Sequence, residues 1–278
     1  MLKTRLLLGS LMAAAAGGVL YVDSFFAPYF PVLWLLSLVV GVLATRELVA
    51  LIPAENRPRE WLCLLGVVAL VSIPFAFQTH GGLMPSAREI TPFAFATFVL
   101  IALLVEMFFY HRPGQCITRA AHAVFAVGYL GLLPSFFLMI RWLPEHSGWK
   151  LALAIFVPKC CDIGAYAAGR IFGKHPFTPL LSPKKTWEGI AGGLVFAVLT
   201  ATVAGEFVPV FRHGLVEAIA FGLVVGFAGI LGDLAESMIK RDALAKDASK
   251  AVPGFGGVLD VIDSILFAGP VAYYWFAR

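Results

Sequence analysis

The sequence predicts an all-α polytopic membrane protein, a helical bundle with about nine transmembrane helices in one membrane domain. Three observations carry that expectation. Of 278 residues 60% are hydrophobic and 14% charged, whereas a soluble domain carries roughly 25% charged residues. Apolar segments of roughly 20 residues, the length that crosses about 30 Å of hydrocarbon at 1.5 Å per residue, recur from end to end. They are apolar all round, unlike the alternating strands of a β-barrel, and no stretch between them is long enough for a separate water-soluble core.

The expected spans are 6–22, 25–45, 61–77, 91–110, 120–143, 149–168, 187–209, 215–232 and 257–277. In the first, Lys3 and Arg5 precede a short apolar run that ends in small residues, the pattern of a cleaved signal peptide; the run continues through Val22, which favours a retained helix. Spans two to five qualify by apolar length alone. The sixth holds Lys159 and Asp162, three residues apart and so on one helical face. Charges there cost at least a few kcal/mol in lipid, so they face the bundle interior as an ion pair or part of a site. The seventh is entered through Ser182-Pro183, read as an N-cap followed by proline at the first helical position. The eighth ends near Gly232. If its helix continues, Asp233, Glu236, Ser237 and Lys240 share one stripe. The ninth opens with Asp260 and Asp263 on a common face, after Gly254, Gly256 and Gly257.

Basic residues test the count. With nine spans, fifteen of the 21 lysines and arginines fall on the N-terminal side; Arg88, Arg141, Lys150, Arg212 and Arg278 lie opposite, and Lys159 sits within a span. The positive-inside rule then makes the N-terminus cytoplasmic. Cys63, Cys116, Cys160 and Cys161 have no paired metal-ligand spacing and read as small apolar core residues.

Two cytoplasmic loops carry more than topology signals. Ser182-Pro183-Lys184-Lys185-Thr186 combines a helix N-terminus, hydroxyls and two lysines, which is how proteins hold phosphate. The complement is the set of carboxylates at the mouths of spans eight and nine beside Lys240 and the glycine-rich turn. Hard oxygen ligands hold Mg2+, and the metal and the lysines neutralise phosphate oxygens. Asp233 and Asp260 are the first choices as metal ligands and Asp263 the second. Helix capping and pairing with nearby lysines explain any one of these acids, but explain four at two helix ends less well.

At these residues the sequence resembles the phosphatidate cytidylyltransferases, also called CDP-diglyceride synthetases. Ser237, Ile239, Lys240, Arg241, Lys246 and Asp247 match the family signature in register, as do Ser249, Pro253, Gly256, Gly257, Asp260, Ile262 and Asp263. Upstream, Asp162 to Tyr166, Gly169-Arg170, Phe172 to Lys174 and Ser182 to Gly189 also look like the family's. The resemblance is strong over roughly residues 159–264. Two positions depart: Phe255 stands where the signature has His, and Val261 where it has Arg.

The resemblance implies a nucleotidyltransferase of phospholipid biosynthesis that converts CTP and phosphatidate to CDP-diacylglycerol and pyrophosphate. It implies Mg2+, with or without a second, monovalent cation, and a homodimer among membrane lipids with no nucleic-acid partner. The site would face the cytoplasm from the inner (cytoplasmic) membrane. Asp233, Asp260, Asp263 and Lys240 are then the catalytic group, with Asp233 and Asp260 on the metal. Ser182, Lys184, Lys185, Thr186, Ser237, Arg241, Lys246, Asp247, Gly256 and Gly257 are the substrate-binding candidates. Residues 1–145 form a scaffold facing lipid and the dimer partner, and 146–278 carry the catalytic helices and loops. Loss of the Arg removes a bidentate phosphate clamp, and loss of the His a proton carrier or phosphate donor. An isoprenoid lipid phosphate as substrate and an inactive paralogue therefore stay open. So does an anionic-lipid transporter, although the charge concentrated in one half of the chain favours a site over a pathway.

Overall fold

The computed structural model describes residues 2–79, 86–111, 113–252, 254 and 256–278, with backbone alone for 2–8, 78 and 79; Arg112, Pro253 and Phe255 lie outside the described residues. The architecture is helical. Eight apolar segments among the described residues are long enough to cross a bilayer, and a 23-residue helix, α1 (Leu2–Ser24), precedes them, which matches the expected count of about nine. The chain divides into two compact units, Met1–Trp142 with Asp247–Leu259, and Leu143–Lys246 with Asp260–Arg278.

The first unit begins with α1 and continues through α2 (Pro31–Leu51), α3 (Glu60–Thr79), α4 (Ala87–Phe108), α5 (Cys116–Val127) and α6 (Leu133–Arg141). A proline at the first turn opens α2, where its missing N–H costs nothing. The Glu89 side chain accepts from Ser86 N (2.8 Å) at the start of α4. A π-helical turn, Gly128–Leu132, joins α5 to α6 just before Pro134, whose ring cannot face the carbonyl one turn back, so the three pieces make one span. Buried and half-buried polar pairs tie these helices together. Arg141 Nε donates to Asp23 Oδ2 (3.0 Å), and Arg119 Nη2 to Glu106 Oε2 (2.7 Å). In lipid, where apolar faces gain little by meeting each other, such pairs and close packing hold helices in place.

The second unit contains α7 (Ser147–Phe172), a two-stranded hairpin, α8 (Trp187–Phe207), α9 (Gly214–Asp242) and all but the first two residues of α10 (Val258–Phe276). Strand β1 (Pro176–Thr178) pairs antiparallel with β2 (Ser182–Thr186), Pro176 opposite Thr186 and Thr178 opposite Ser182. This corrects the expected N-cap at Ser182. Strand pairing holds Ser182 to Thr186 extended, and Thr186 caps α8, its Oγ1 accepting from Gly189 N (3.1 Å). Helix α9 also outruns the expected span. Its 29 residues make about 44 Å at 1.5 Å each, against about 30 Å of hydrocarbon, so the Asp233 to Lys240 stripe is carried out of the apolar segment on unbroken helix. Cys63 and Cys161 are buried, while Cys116 and Cys160 are half-buried.

Candidate active site

Four antiparallel elements of the second unit bring their charged ends together: the C-terminal halves of α7 and α9, and the N-terminal ends of α8 and α10. Gly232 makes the approach of α9 to α10 possible. A Cβ there would lie 2.5 Å from the Asp263 carbonyl oxygen and 3.2 Å from Ser264 Cα, so only a glycine lets α9 cross α10 at this level. One residue later α9 presents Asp233.

The α9 stripe forms as its spacing requires. Ser237 Oγ donates to Asp233 Oδ1 (3.4 Å), and Lys240 is ion-paired with Glu236 one turn before it. Lys240 Nζ also reaches Asp260 Oδ1 on α10 (2.5 Å). From α7, Lys159 Nζ lies 3.4 Å from Asp162 Oδ2 and 3.3 Å from Asp263 Oδ1. Ser264 Oγ completes the link by donating to Asp162 Oδ2 (2.8 Å). At the end of the hairpin, Lys185 Nζ stands 2.8 Å from Asp233 Oδ2.

One carboxylate oxygen from each of Asp233, Glu236 and Asp263 lies within 4.8 Å of the other two. Glu236 is the most enclosed of the three, at 0% exposure, and neither of its oxygens receives a hydrogen bond of good geometry; Lys240 balances its charge. Five carboxylates (Asp162, Asp233, Glu236, Asp260, Asp263) thus share three ammonium groups (Lys159, Lys185, Lys240), which, counted with every group ionised, leaves a formal surplus of two negative charges. An enclosed surplus of two, presented by hard oxygens, suits a divalent cation such as Mg2+. Beside the acids opens a cavity of about 220 Å3 whose lining includes Asp162, Tyr166, Lys184, Lys185, Thr186 and Asp233.

The remaining candidates are placed as follows. Lys184 is exposed at the cavity, and Ser182 is half-buried within β2. Arg241 is exposed, its Nε donating to Leu181 O (3.4 Å) and its Nη1 to Ala245 O (3.2 Å). Lys246 is exposed, and Val261 is half-buried on α10. Asp247, Gly256 and Gly257 belong to the first unit. The expected metal pair, Asp233 and Asp260, is divided between two environments: Asp233 stands in the carboxylate triad and Asp260 is bonded to Lys240. Glu236, which sequence reasoning placed on the stripe but did not choose, joins the triad, and Lys159, Asp162 and Ser264 support it from α7 and α10.

The pattern of the cytidylyltransferase family matches residues 3–277. The chain belongs to that family. Among its relatives, the phosphatidate cytidylyltransferase of Mycobacterium bovis is 31% identical over 252 residues, covering 84% of this chain and 78% of the relative. The phosphatidate cytidylyltransferase of Bacillus subtilis is 35% identical over 216 residues, 78% of this chain and 77% of its own. That of Pseudomonas aeruginosa reaches 39% over 155 residues, 54% of this chain and 57% of the relative. For a cytidylyltransferase, a cavity that joins two lysines and a helix N-terminus to Asp233 of the triad offers charge partners for a nucleoside triphosphate.

Proposed function

We propose that this chain is a phosphatidate cytidylyltransferase, which forms CDP-diacylglycerol and pyrophosphate from CTP and phosphatidate. The observation that carries the proposal is the triad of Asp233, Glu236 and Asp263 beside Lys185 and Lys240, with Asp233 and Lys185 lining the cavity. A phosphate oxygen of phosphatidate attacks the α-phosphorus of CTP, the bond from that phosphorus to the bridging oxygen breaks, and pyrophosphate leaves with its electron pair. Phosphatidate arrives ionised, so no protein nucleophile is needed, and the work is positioning and charge neutralisation. Lys184 and Lys185 bind phosphate oxygens at the start of α8, where the Thr186 cap and the first N–H groups add donors. Lys240 holds Asp260 toward Glu236 and meets negative charge as it develops. Asp233, Glu236 and Asp263 are the residues that would hold Mg2+, with Asp260 adjoining through Lys240. Bound there, Mg2+ supplies neutralisation of phosphate charge.

The excess of basic residues on the N-terminal side supports a cytoplasmic site in the inner membrane. Membrane lipids and, in the homodimer that the resemblance implies, a second copy of the chain are its further partners. The exposed apolar residues of α4, Phe93, Leu100, Leu104, Met107 and Phe108, give both a surface to cover.

The test is pyrophosphate release by detergent-purified protein supplied with CTP, phosphatidate and Mg2+, run beside Asp233→Asn and EDTA controls. Release that needs the lipid, the metal and Asp233 is expected. Because Val261 replaces the signature Arg, an isoprenoid phosphate arm runs in parallel. Release with that lipid and not with phosphatidate would reassign the substrate, and no release with either would overturn the enzymatic reading.

A further inference from the structure

In the first unit the glycine turn before α10 is held by a side chain more than two hundred residues away. Glu47, near the C-terminal end of α2, accepts three hydrogen bonds: from Ser249 Oγ (2.7 Å) and Val258 N (2.9 Å) on Oε1, and from Leu259 N (2.8 Å) on Oε2. These fill both of its oxygens. Two of the three partners are the first N–H groups of α10, donors that a helix leaves unsatisfied unless a cap supplies an acceptor. The residue before them is Gly257, which has no side chain with which to cap. A Cβ at Gly257 would lie 2.5 Å from Glu47 Oε2, so the missing side chain is also what lets the carboxylate in.

Electrostatics point the same way. A carboxylate near the C-terminal end of its own helix is disfavoured by that helix's dipole and favoured at the N-terminus of another. Glu47 is badly placed for α2 and well placed for α10. Ser249 Oγ in turn accepts from Ala251 N (3.0 Å), and Val252 and Gly256 exchange two backbone hydrogen bonds (2.7 and 3.0 Å) across a turn with positive φ at Gly254 and Gly256. The glycine turn and the first turn of α10 therefore form one hydrogen-bonded assembly closed by Glu47. Asp260 is the next residue along the same continuous helix.

We infer that Glu47 is a positioning residue for the proposed reaction, a capping carboxylate supplied by α2 that fixes the glycine turn and the direction of α10 at Asp260. This rests on the cytidylyltransferase reading of the site. It also gives Gly257 a definite task, which is to leave room for Glu47.

The experiment uses the full-length protein in detergent and reads two quantities: amide exchange over residues 249–260, and kcat and KM for CTP in the pyrophosphate assay. Glu47→Ala should speed exchange at Val258 and Leu259 and lower kcat about 100-fold, the scale of a misplacement of about 1 Å, with KM for CTP changed less than about threefold. Glu47→Gln keeps one acceptor oxygen and should fall between the wild type and Glu47→Ala on both readouts. Should Glu47→Ala fail to fold, Ser249→Ala, which removes one of the three donors, carries the test with a fall in kcat of about fivefold. Unchanged exchange would show that the contact is not made. Faster exchange with unchanged kcat would reduce Glu47 to a structural cap, and either result overturns the inference. If the wild-type protein releases no pyrophosphate, the functional reading fails separately, and exchange at Val258 and Leu259 alone decides whether Glu47 holds the helix start.

Discussion

Lys240→Met tests the charge balance of the site most directly. The methionine keeps the apolar stem of the lysine and removes the ammonium group that touches Asp260 Oδ1 at 2.5 Å and pairs with Glu236. Breaking a buried ion pair from one side costs about 3–5 kcal/mol. Lys240 keeps 12% of its side chain exposed while Glu236 keeps none, so a loss near the lower figure, about 3 kcal/mol, is expected in the absence of metal. Counted with every carboxylate ionised, as a bound cation would hold them, the same change raises the formal surplus of negative charge in the cluster from two to three. At about 5 Å and an effective dielectric constant of about 20, one unit charge acts on another by about 3 kcal/mol. Even half of that tightens binding of a cation about tenfold. At saturating Mg2+ the variant should then gain about 1.4 kcal/mol more from the metal than the wild type does. The assay is thermal unfolding in detergent with Mg2+ and with EDTA, alongside pyrophosphate release. The variant should unfold earlier in EDTA, rise further on adding Mg2+, and lose at least about 100-fold in turnover, on the scale of removing one transition-state charge donor. A Mg2+ shift in the variant equal to or smaller than that of the wild type would refute the reasoning, because Lys240 would then not share its field with the cation site.

Two further substitutions probe the scaffold. Gly232→Ala places a methyl group 2.5 Å from the Asp263 carbonyl oxygen. Because the obstacle is backbone, the cost should be near the upper end of overpacking, about 3 kcal/mol, with α9 and α10 forced apart and turnover lowered more than tenfold; unfolding and rate measurements check it against Gly17→Ala, where nothing lies within 4 Å. Thr186→Ala removes the acceptor for Gly189 N and should cost about 1 kcal/mol, whereas Thr186→Ser should stay within a few tenths. Equal stability of the two in thermal unfolding would show that the cap is not made.

The spans were legible because the bilayer sets their length and composition reports it directly. Their ends were less so. Hydropathy stops near Gly232, but backbone hydrogen bonding carries α9 to Asp242, since a helix ends where its hydrogen bonds end and not where it leaves lipid. Ser182-Pro183 reads as a helix start, and nothing local reveals that three residues upstream will pair with it as a strand. Within the site, the spacing of Asp233, Lys240, Asp260 and Asp263 pointed to shared faces, and each of the four lies in the cluster. Glu236 stood on the same stripe, but its complete burial comes from helices that the stripe does not mention. Glu47 was beyond local reading altogether, its partners lying 202 to 212 residues away. It lies just past the expected span 25–45, beside Arg46, where an acid reads as an ordinary loop or helix-end charge.

The polar contacts of the second unit are also what join its helices. Lys159 and Ser264 link α7 to α10, Lys185 links the hairpin to α9, and Lys240 links α9 to α10. A soluble enzyme can rest its site on a hydrophobic core that folds without it. In lipid the apolar faces have little preference between a neighbouring helix and an acyl chain, so interhelical polar contacts carry more of the specificity of packing. Each charge lost from this cluster therefore removes part of the chemistry and part of the arrangement that presents it. The glycines follow the same logic, since Gly232 brings α9 and α10 close enough for Asp233, Glu236 and Asp263 to share one volume. Fold and site in this unit are one set of interactions, and a variant that lost turnover at unchanged stability would identify a group that meets substrate without holding a helix. By its contacts Lys184, exposed at the cavity, fits that description best.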